Sequence, residues 1–288
     1  MPNLVELALN SKHTATIPQA QFPAELFLKL KLLRLLSFHD TSSNFPFHLL
    51  QVFQSVDHLW LRNCCWKEIF PKGIIIEGED AIALARIRIL EVSYLPQLRH
   101  LWNQDSQHGQ LLPNLESLKI YSCHGLNNLA LSSASFQNLT TLNIWNCDGL
   151  INLVTTSTAK GMVTLTHLTV ENCKMVTEIV ANECQSGSEI FFEKLTSLKL
   201  LNLKSLTSFS PSTSCTIKIP SLEEVVVSQC PKMKVFTHGV VSSPKLHKVH
   251  ITDKMDEWRW VIKDLNTTVK QLHSQMVCVE SISQISFS

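Results

Sequence analysis

Glycine is scarce in this chain, 8 of 288 residues, and the glycine-dependent motifs of catalysis and nucleotide binding are missing with it. There is no G-x-x-x-x-G-K-[ST] and no G-x-G-x-x-G, so no loop is expected to cradle phosphates; H-E-x-x-H and G-x-S-x-G are absent too. No enzyme is expected, and no cofactor. Charge of one sign is also lacking: 25 Lys+Arg stand against 24 Asp+Glu, a formal net charge of +1, which excludes a basic nucleic-acid clamp and an acidic tail. No apolar run reaches the roughly 18 residues of a membrane-spanning helix, since even Leu26 to Leu36 is broken by Lys29, Lys31 and Arg34. The opening Met1-Pro2-Asn3-Leu4-Val5-Glu6 has neither the basic start nor the apolar segment of a secretory signal, so a cytoplasmic location is expected. The chain is 44% hydrophobic and 17% charged, enough apolar matter for one continuous core.

Nine cysteines are present but no C-x-x-C pair. Instead Cys123, Cys147 and Cys173 close three similar phrases, Leu115-Glu-Ser-Leu118-Lys-Ile120-Tyr-Ser-Cys123, Leu139-Thr-Thr-Leu142-Asn-Ile144-Trp-Asn-Cys147 and Leu165-Thr-His-Leu168-Thr-Val170-Glu-Asn-Cys173. All fit L-x-x-L-x-L-x-x-C, the leucine-rich-repeat pattern. Phrases opening at Val56 and Leu222 fit with aliphatic swaps and end in Cys64 and Cys230, the one at Leu195 ends in Leu203, and weaker copies open at Leu4, Leu33, Ile87 and Leu246. About ten repeats result, with openings 29, 23, 31, 28, 24, 26, 30, 27 and 24 residues apart.

Alternation within each phrase turns its second and third aliphatics inward and the residue between them outward, as a pleated strand requires. A second apolar phrase, such as Gly125-Leu126-Asn-Asn-Leu129 or Gly149-Leu150-Ile-Asn-Leu153, fills the interior on the return run. One repeat cannot bury its apolar side alone, so the repeats must stack. The expected fold is an α/β solenoid, a leucine-rich-repeat horseshoe with a parallel sheet on its concave face and an irregular convex side. It spans residues 1–270 as one domain, and 271–288 form the end of a cap and a loose tail. Residues 65–86 and 181–190 are expected to be loops, and Asp256 to Trp260 with Leu265 to Gln271 a terminal cap containing a short helix. The chain begins almost on a repeat, which suggests that something precedes it in a longer polypeptide.

The repeat cysteines stack along the interior rather than converging, so they are expected to be buried, metal-free and reduced, with nine free thiols in all. Asn138-Leu-Thr140 and Asn266-Thr-Thr268 match the glycosylation acceptor but carry no weight in an intracellular chain. The expected outward residues include Ser37, Trp60, Glu91, Lys119, Asn143, Thr169, Lys199, Val226 and His250. Aromatic and arginine side chains dominate interface energetics, so the candidate protein-binding residues on the concave face are Trp60, Arg62, Tyr121, Trp145, His167 and Glu171.

The phrases Leu112-Pro-Asn-Leu115-Glu-Ser-Leu118-Lys-Ile120 and Ile89-Leu90-Glu-Val92-Ser-Tyr-Leu95-Pro-Gln-Leu98-Arg-His-Leu101-Trp102, with the closing Glu257-Trp258-Arg259-Trp260 to Thr268, resemble the C-terminal repeats of plant nucleotide-binding leucine-rich-repeat immune receptors of the coiled-coil class. The resemblance implies a sensing module whose partner is a pathogen effector or a guarded host protein, and which restrains the nucleotide-binding domain of the same receptor where it is part of a longer chain. The nucleotide switch itself does not carry over, because its P-loop is absent. The alternative is the substrate-receptor solenoid of an F-box-type ubiquitin ligase, whose repeats also place cysteine after the strand but are more regular in length.

Overall fold

The computed structural model describes residues 4–14, 24–39, 45–70, 78–102, 112–127, 129, 136–181, 188–250, 259–260, 264–271 and 273–274. These fall into two compact units, Met1–Leu150 and Ile151–Ser288. In the first, six phrases form a parallel sheet in the order Glu6–Leu9, Leu32–Leu36, His58–Arg62, Ile89–Ser93, Ser117–Tyr121 and Thr141–Trp145. In the second, His167–Glu171, Ser197–Leu201, Glu224–Ser228 and Lys248–His250 pair in parallel. Arg259–Trp260 then returns antiparallel beside the last of them. The fold of both units is the leucine-rich-repeat β-solenoid, one sheet strand per phrase.

The register is uniform because the pattern leaves one solution. Leu118 stands opposite Leu142 and Ile120 opposite Ile144, all fully buried, while Lys119 and Asn143 between them face outward. Slipping either strand by one residue would exchange leucines for polar groups along a whole side of the sheet. One expected boundary is corrected. The second repeat opens at Leu30 rather than Leu33, since Leu33 pairs with Leu59 and Arg34, not Ser37, pairs with Trp60. The run Leu30 to Leu36 is so dense in leucine that two alignments satisfy the pattern. Burial separates them, with Leu30, Leu33 and Leu35 enclosed and Phe38 in the place that cysteine takes elsewhere.

Eight of the phrases end in a device that the leucine pattern does not reveal. The residue just before the cysteine position has φ between +51° and +58° in eight repeats, at Ser37, Asn63, Tyr94, Ser122, Asn146, Asn172, Asn202 and Gln229. This left-handed turn swings the chain out of the sheet; asparagine, which holds four of the eight places, tolerates it better than most residues. The turns also bond to one another. Backbone N–H groups of Ser37, Asn63, Tyr94 and Ser122 donate to the carbonyls of Arg62, Ser93, Tyr121 and Trp145 at 3.0, 3.0, 2.9 and 2.9 Å. Side chains add a parallel ladder, Asn63 Nδ2 to Ser37 Oγ at 3.2 Å, Asn146 Nδ2 to Ser122 Oγ at 3.1 Å, and Asn202 Nδ2 to Asn172 Oδ1.

On the return run the structure varies from repeat to repeat. Glu68–Phe70 pairs with His100–Trp102 in the first unit, and in the second Asn152–Val154 pairs with Glu178–Val180 and Glu189–Phe191 with Thr216–Lys218 and Val240–Ser242. Helices occupy His48–Val52, Gly78–Ala85 and Thr156–Lys160. The helix at Gly78–Ala85 replaces part of an expected loop. Its Glu79 and Asp80 suit a helix N-terminus, Ala83 and Leu84 are buried, and Gln51 Nε2 holds Asp80 Oδ1 at 2.8 Å. The helical part of the expected C-terminal cap is present over 265–271, started by Asp264, whose carboxylate accepts from the Thr267 N–H at 2.9 Å and the Thr267 hydroxyl at 2.8 Å, while 256–258 lie outside the described residues. Leu265, Thr268 and Val269 are buried beneath it, and Asn266 Oδ1 accepts from the Thr237 N–H at 2.8 Å. The tail 275–288 and the segment 182–187 lie outside the described residues.

Cys64, Cys123, Cys147, Cys173 and Cys230 are all buried and free. Each thiol donates to the carbonyl two residues earlier, at 3.3 Å to Arg62, Glu171 and Ser228 and 3.5 Å to Tyr121 and Trp145. A small weak donor in a dry corner suits cysteine there. The expected total of nine free thiols is corrected, because Cys215, which lies off the repeat position, is disulfide-bonded. Burial pushes the Cys64 and Cys230 thiols up to about 11 and Cys123 up to about 12, away from the reactive thiolate. Under native conditions the five repeat cysteines are expected to resist iodoacetamide while half-buried Cys65 reacts. Peptide mapping of the labelled sites checks this, and rapid labelling of Cys123 or Cys147 would contradict it.

Candidate functional site

The outward side of the sheet is a set of parallel rows, because side chains at the same step of successive phrases stand beside one another about 4.8 Å apart. In the first unit the central row runs Ala8, Arg34, Trp60, Glu91, Lys119 and Asn143. The row two residues further along each strand runs Leu36, Arg62, Ser93, Tyr121 and Trp145. Four of the six expected binding residues therefore share one face. Trp60 holds the central row, and Arg62, Tyr121 and Trp145 the neighbouring one.

Their environments differ. Trp60 is half-buried, its indole N–H donating to Ser93 Oγ at 2.9 Å and the Arg34 guanidinium lying 4.3 Å from its ring centroid. Arg34 is itself held by Glu6 at 2.9 Å. Trp60 is thus as much a fixed part of the face as a free contact. Arg62 is exposed, with its guanidinium 6.0 Å from the Trp60 ring and 5.4 Å from that of Tyr94, which is 49% exposed. Tyr121 and Trp145 stand in direct register, Tyr121 half-buried and Trp145 37% exposed. Burial raises the Tyr121 phenol above its ordinary range.

Glu91 is the electrostatic centre of this face. Its Oε1 lies 3.4 Å from His58 Nε2 and 2.8 Å from Lys119 Nζ, with the carboxylate side chain 14% exposed. The contact with His58, and after it the bond from Lys119, holds the carboxyl down to about 2, against the cost of burial. A carboxyl depressed by folding contributes stability above its ordinary value of 4.5, and loses it as pH falls toward about 2. Glu91→Gln is expected to cost about 2 kcal/mol at neutral pH, the scale of a hydrogen bond to a charged group. Paired urea titrations at pH 7 and pH 3 check it. The gap between wild type and variant should narrow at pH 3, and an unchanged gap would contradict the assignment.

In the second unit His167 is exposed at the start of strand His167–Glu171, its Nδ1 2.8 Å from Thr166 Oγ1. Glu171 is half-buried at the strand's end, where Asn172 Nδ2 donates to its Oε1 at 3.3 Å. Thr169, Lys199 and His250 stand in one outward row through Val226, as expected, but His250 is covered there. It is 4% exposed, at the strand beside which the chain returns as Arg259–Trp260. The residues missing from the sequence reading are Arg34 and Tyr94. Arg34 is concealed by the leucine-dense run, and Tyr94 sits in the left-handed turn after the strand.

Among the described residues no cluster of three or more His, Cys, Asp or Glu side chains is placed to hold a metal, and no helix is long and apolar enough to cross a membrane. Uniform phrases, a parallel sheet with one strand per phrase and a face of exposed aromatic and charged side chains define a leucine-rich-repeat protein of the kind that presents a sheet for binding. The leucine-rich-repeat family model for plant disease resistance protein RPS2-like chains matches residues 3–134 and again 126–255. The chain belongs to that family. No curated protein sequence matches it significantly. Among solved structures it is similar to a chain in the crystal structure of a TLR13–ssRNA13 complex, with 15% identity and a TM-score of 0.45, covering 86% of this chain and 39% of that one. It spans well under half the length of that chain.

Proposed function

We propose that this chain is the recognition module of an intracellular plant immune receptor, and that it senses a pathogen effector or a guarded host protein through the outward face of its sheet. The observation that carries the reading is the row in the first unit where Tyr121 and Trp145 stand in register beside exposed Arg62 and the Trp60 platform. Rings and a guanidinium held by their neighbours lose little freedom on contact, which is what anchor residues require. His167 and Glu171 act as polar selectors in the second unit. Membership of the disease-resistance repeat family supports a role in defense, and recognition is coupled to the switch of the receptor that carries the repeats. The module has no catalytic part in this.

The test is a Tyr121→Ala/Trp145→Ala double variant. Proteins captured from challenged plant tissue by the wild-type chain are produced in pure form and titrated against both chains. The double variant is expected to keep its thermal midpoint and to bind at least about 2 kcal/mol more weakly, the scale of hot-spot truncation. Undiminished binding by the folded variant would remove the site from this row.

A further inference from the structure

Among the described residues, the charges in the outward rows of the first unit pair with one another except at one place. Arg34 is matched by Glu6 at 2.9 Å, and Lys119 and His58 share Glu91 at 2.8 and 3.4 Å. Arg62 has no carboxylate within ion-pair distance among the described residues, although it is fixed between the rings of Trp60 and Tyr94 at 6.0 and 5.4 Å. A guanidinium so placed is oriented but still wet. Any partner that covers the row strips its water, and an uncompensated buried charge opposes binding strongly.

We infer that the partner segment seated on this row carries a carboxylate for Arg62 and, three or four residues further along, an apolar side chain for Tyr121 and Trp145. The inference rests on the recognition face proposed above and adds its specificity. The spacing follows from the register. Tyr121 is two strands from Arg62 and Trp145 three, hence roughly 10 and 14 Å across the sheet. An extended segment crossing the strands advances about 3.3 Å per residue, so three residues reach Tyr121 and four reach Trp145. Ser93, between them, is small, buried and occupied by the Trp60 N–H, which leaves the intervening positions without a strong demand. A phosphate backbone fits less well. It needs several unpaired cations in line, and among the described residues these rows offer one beside otherwise neutralised pairs.

The probe is a display library of random peptides selected on the intact chain, followed by synthetic copies of the enriched peptides. Enriched sequences are expected to hold Asp or Glu with an aromatic or aliphatic residue three or four positions later. Changing that acid to its amide should weaken binding about tenfold, as loss of a charge-assisted bond does. Arg62→Gln should abolish the difference between acid and amide, Arg62→Lys should keep most of it, and Arg62→Glu should turn the preference toward basic peptides. Thermal midpoints of the three variants establish that each is folded. No enrichment, enrichment without the acid, or an acid preference that survives Arg62→Gln overturns the inference, as does a uridine oligonucleotide binding as tightly as the best peptide. Peptides that ignore Arg62 yet are lost on Tyr121→Ala/Trp145→Ala sink the acidic specificity alone; peptides indifferent to both changes sink the recognition face as well.

Discussion

Leu142→Ala is expected to lower the stability of the first unit by about 2 to 5 kcal/mol, while Asn143→Ala, one residue along, stays within about 0.5. Leu142 is fully buried opposite Leu118, and truncating it leaves a void that the rigid register cannot close by shifting a strand. Asn143 faces outward, and nothing in the core leans on it. The same contrast is expected between Leu168, buried opposite Leu198, and outward Thr169 in the second unit. Each repeat is stabilised largely by its neighbours, so the damage spreads beyond the mutated coil. Urea midpoints of the four variants check the pairs, and equal shifts for inward and outward substitutions would contradict the register.

An equally large loss is expected from Phe209→Ala, about 3 to 5 kcal/mol. The second unit is held on its return side by three enclosed rings. Phe209 stacks on Phe236 at 4.9 Å between centroids with planes 14° apart, and meets Phe192 edge-on at 5.9 Å. Its backbone is committed as well, its N–H donating to the Phe236 carbonyl and its carbonyl accepting from Ile179 and Val180. Phe209→Leu keeps most of the volume and should cost less than about 1.5 kcal/mol, which separates ring packing from mere hydrophobic burial. Thermal unfolding of the two variants is the measurement. A mild alanine variant would mean that this stack does not hold the unit together.

These inward positions were legible from the chain alone, since L-x-x-L-x-L alternation can be satisfied by one strand register in most phrases. Legibility failed where the pattern was too rich or silent. From Leu30 to Leu36 five leucines fit two alignments, and only three-dimensional burial shows that Leu30 opens the repeat and Arg34 faces outward. That shift conceals the cation that stacks on Trp60. The left-handed turn is written in the Asn-Cys ends of three phrases, but Tyr94, Ser122 and Gln229 take the same conformation with no shared chemistry, because the demand is on φ rather than on a side chain. His250 keeps the outward register of Val226 yet is only 4% exposed, an enclosure that no local periodicity encodes. That Trp60, Arg62, Tyr121 and Trp145 lie in adjoining outward rows was legible from the phrases; which charge is left over became visible only with the ion-pair distances.

The central claim is that the outward sheet face, not the return side, meets the partner. Photo-crosslinking measures this directly. A benzophenone amino acid is placed singly at Asn143, on the outward face of the first unit, at Thr169, on that of the second, and at Phe191, which is 42% exposed on the return side of the second. Each chain is irradiated with the captured partner. Adducts from positions 143 and 169 and none from 191 are the expected result; adducts from 191 alone would contradict the account.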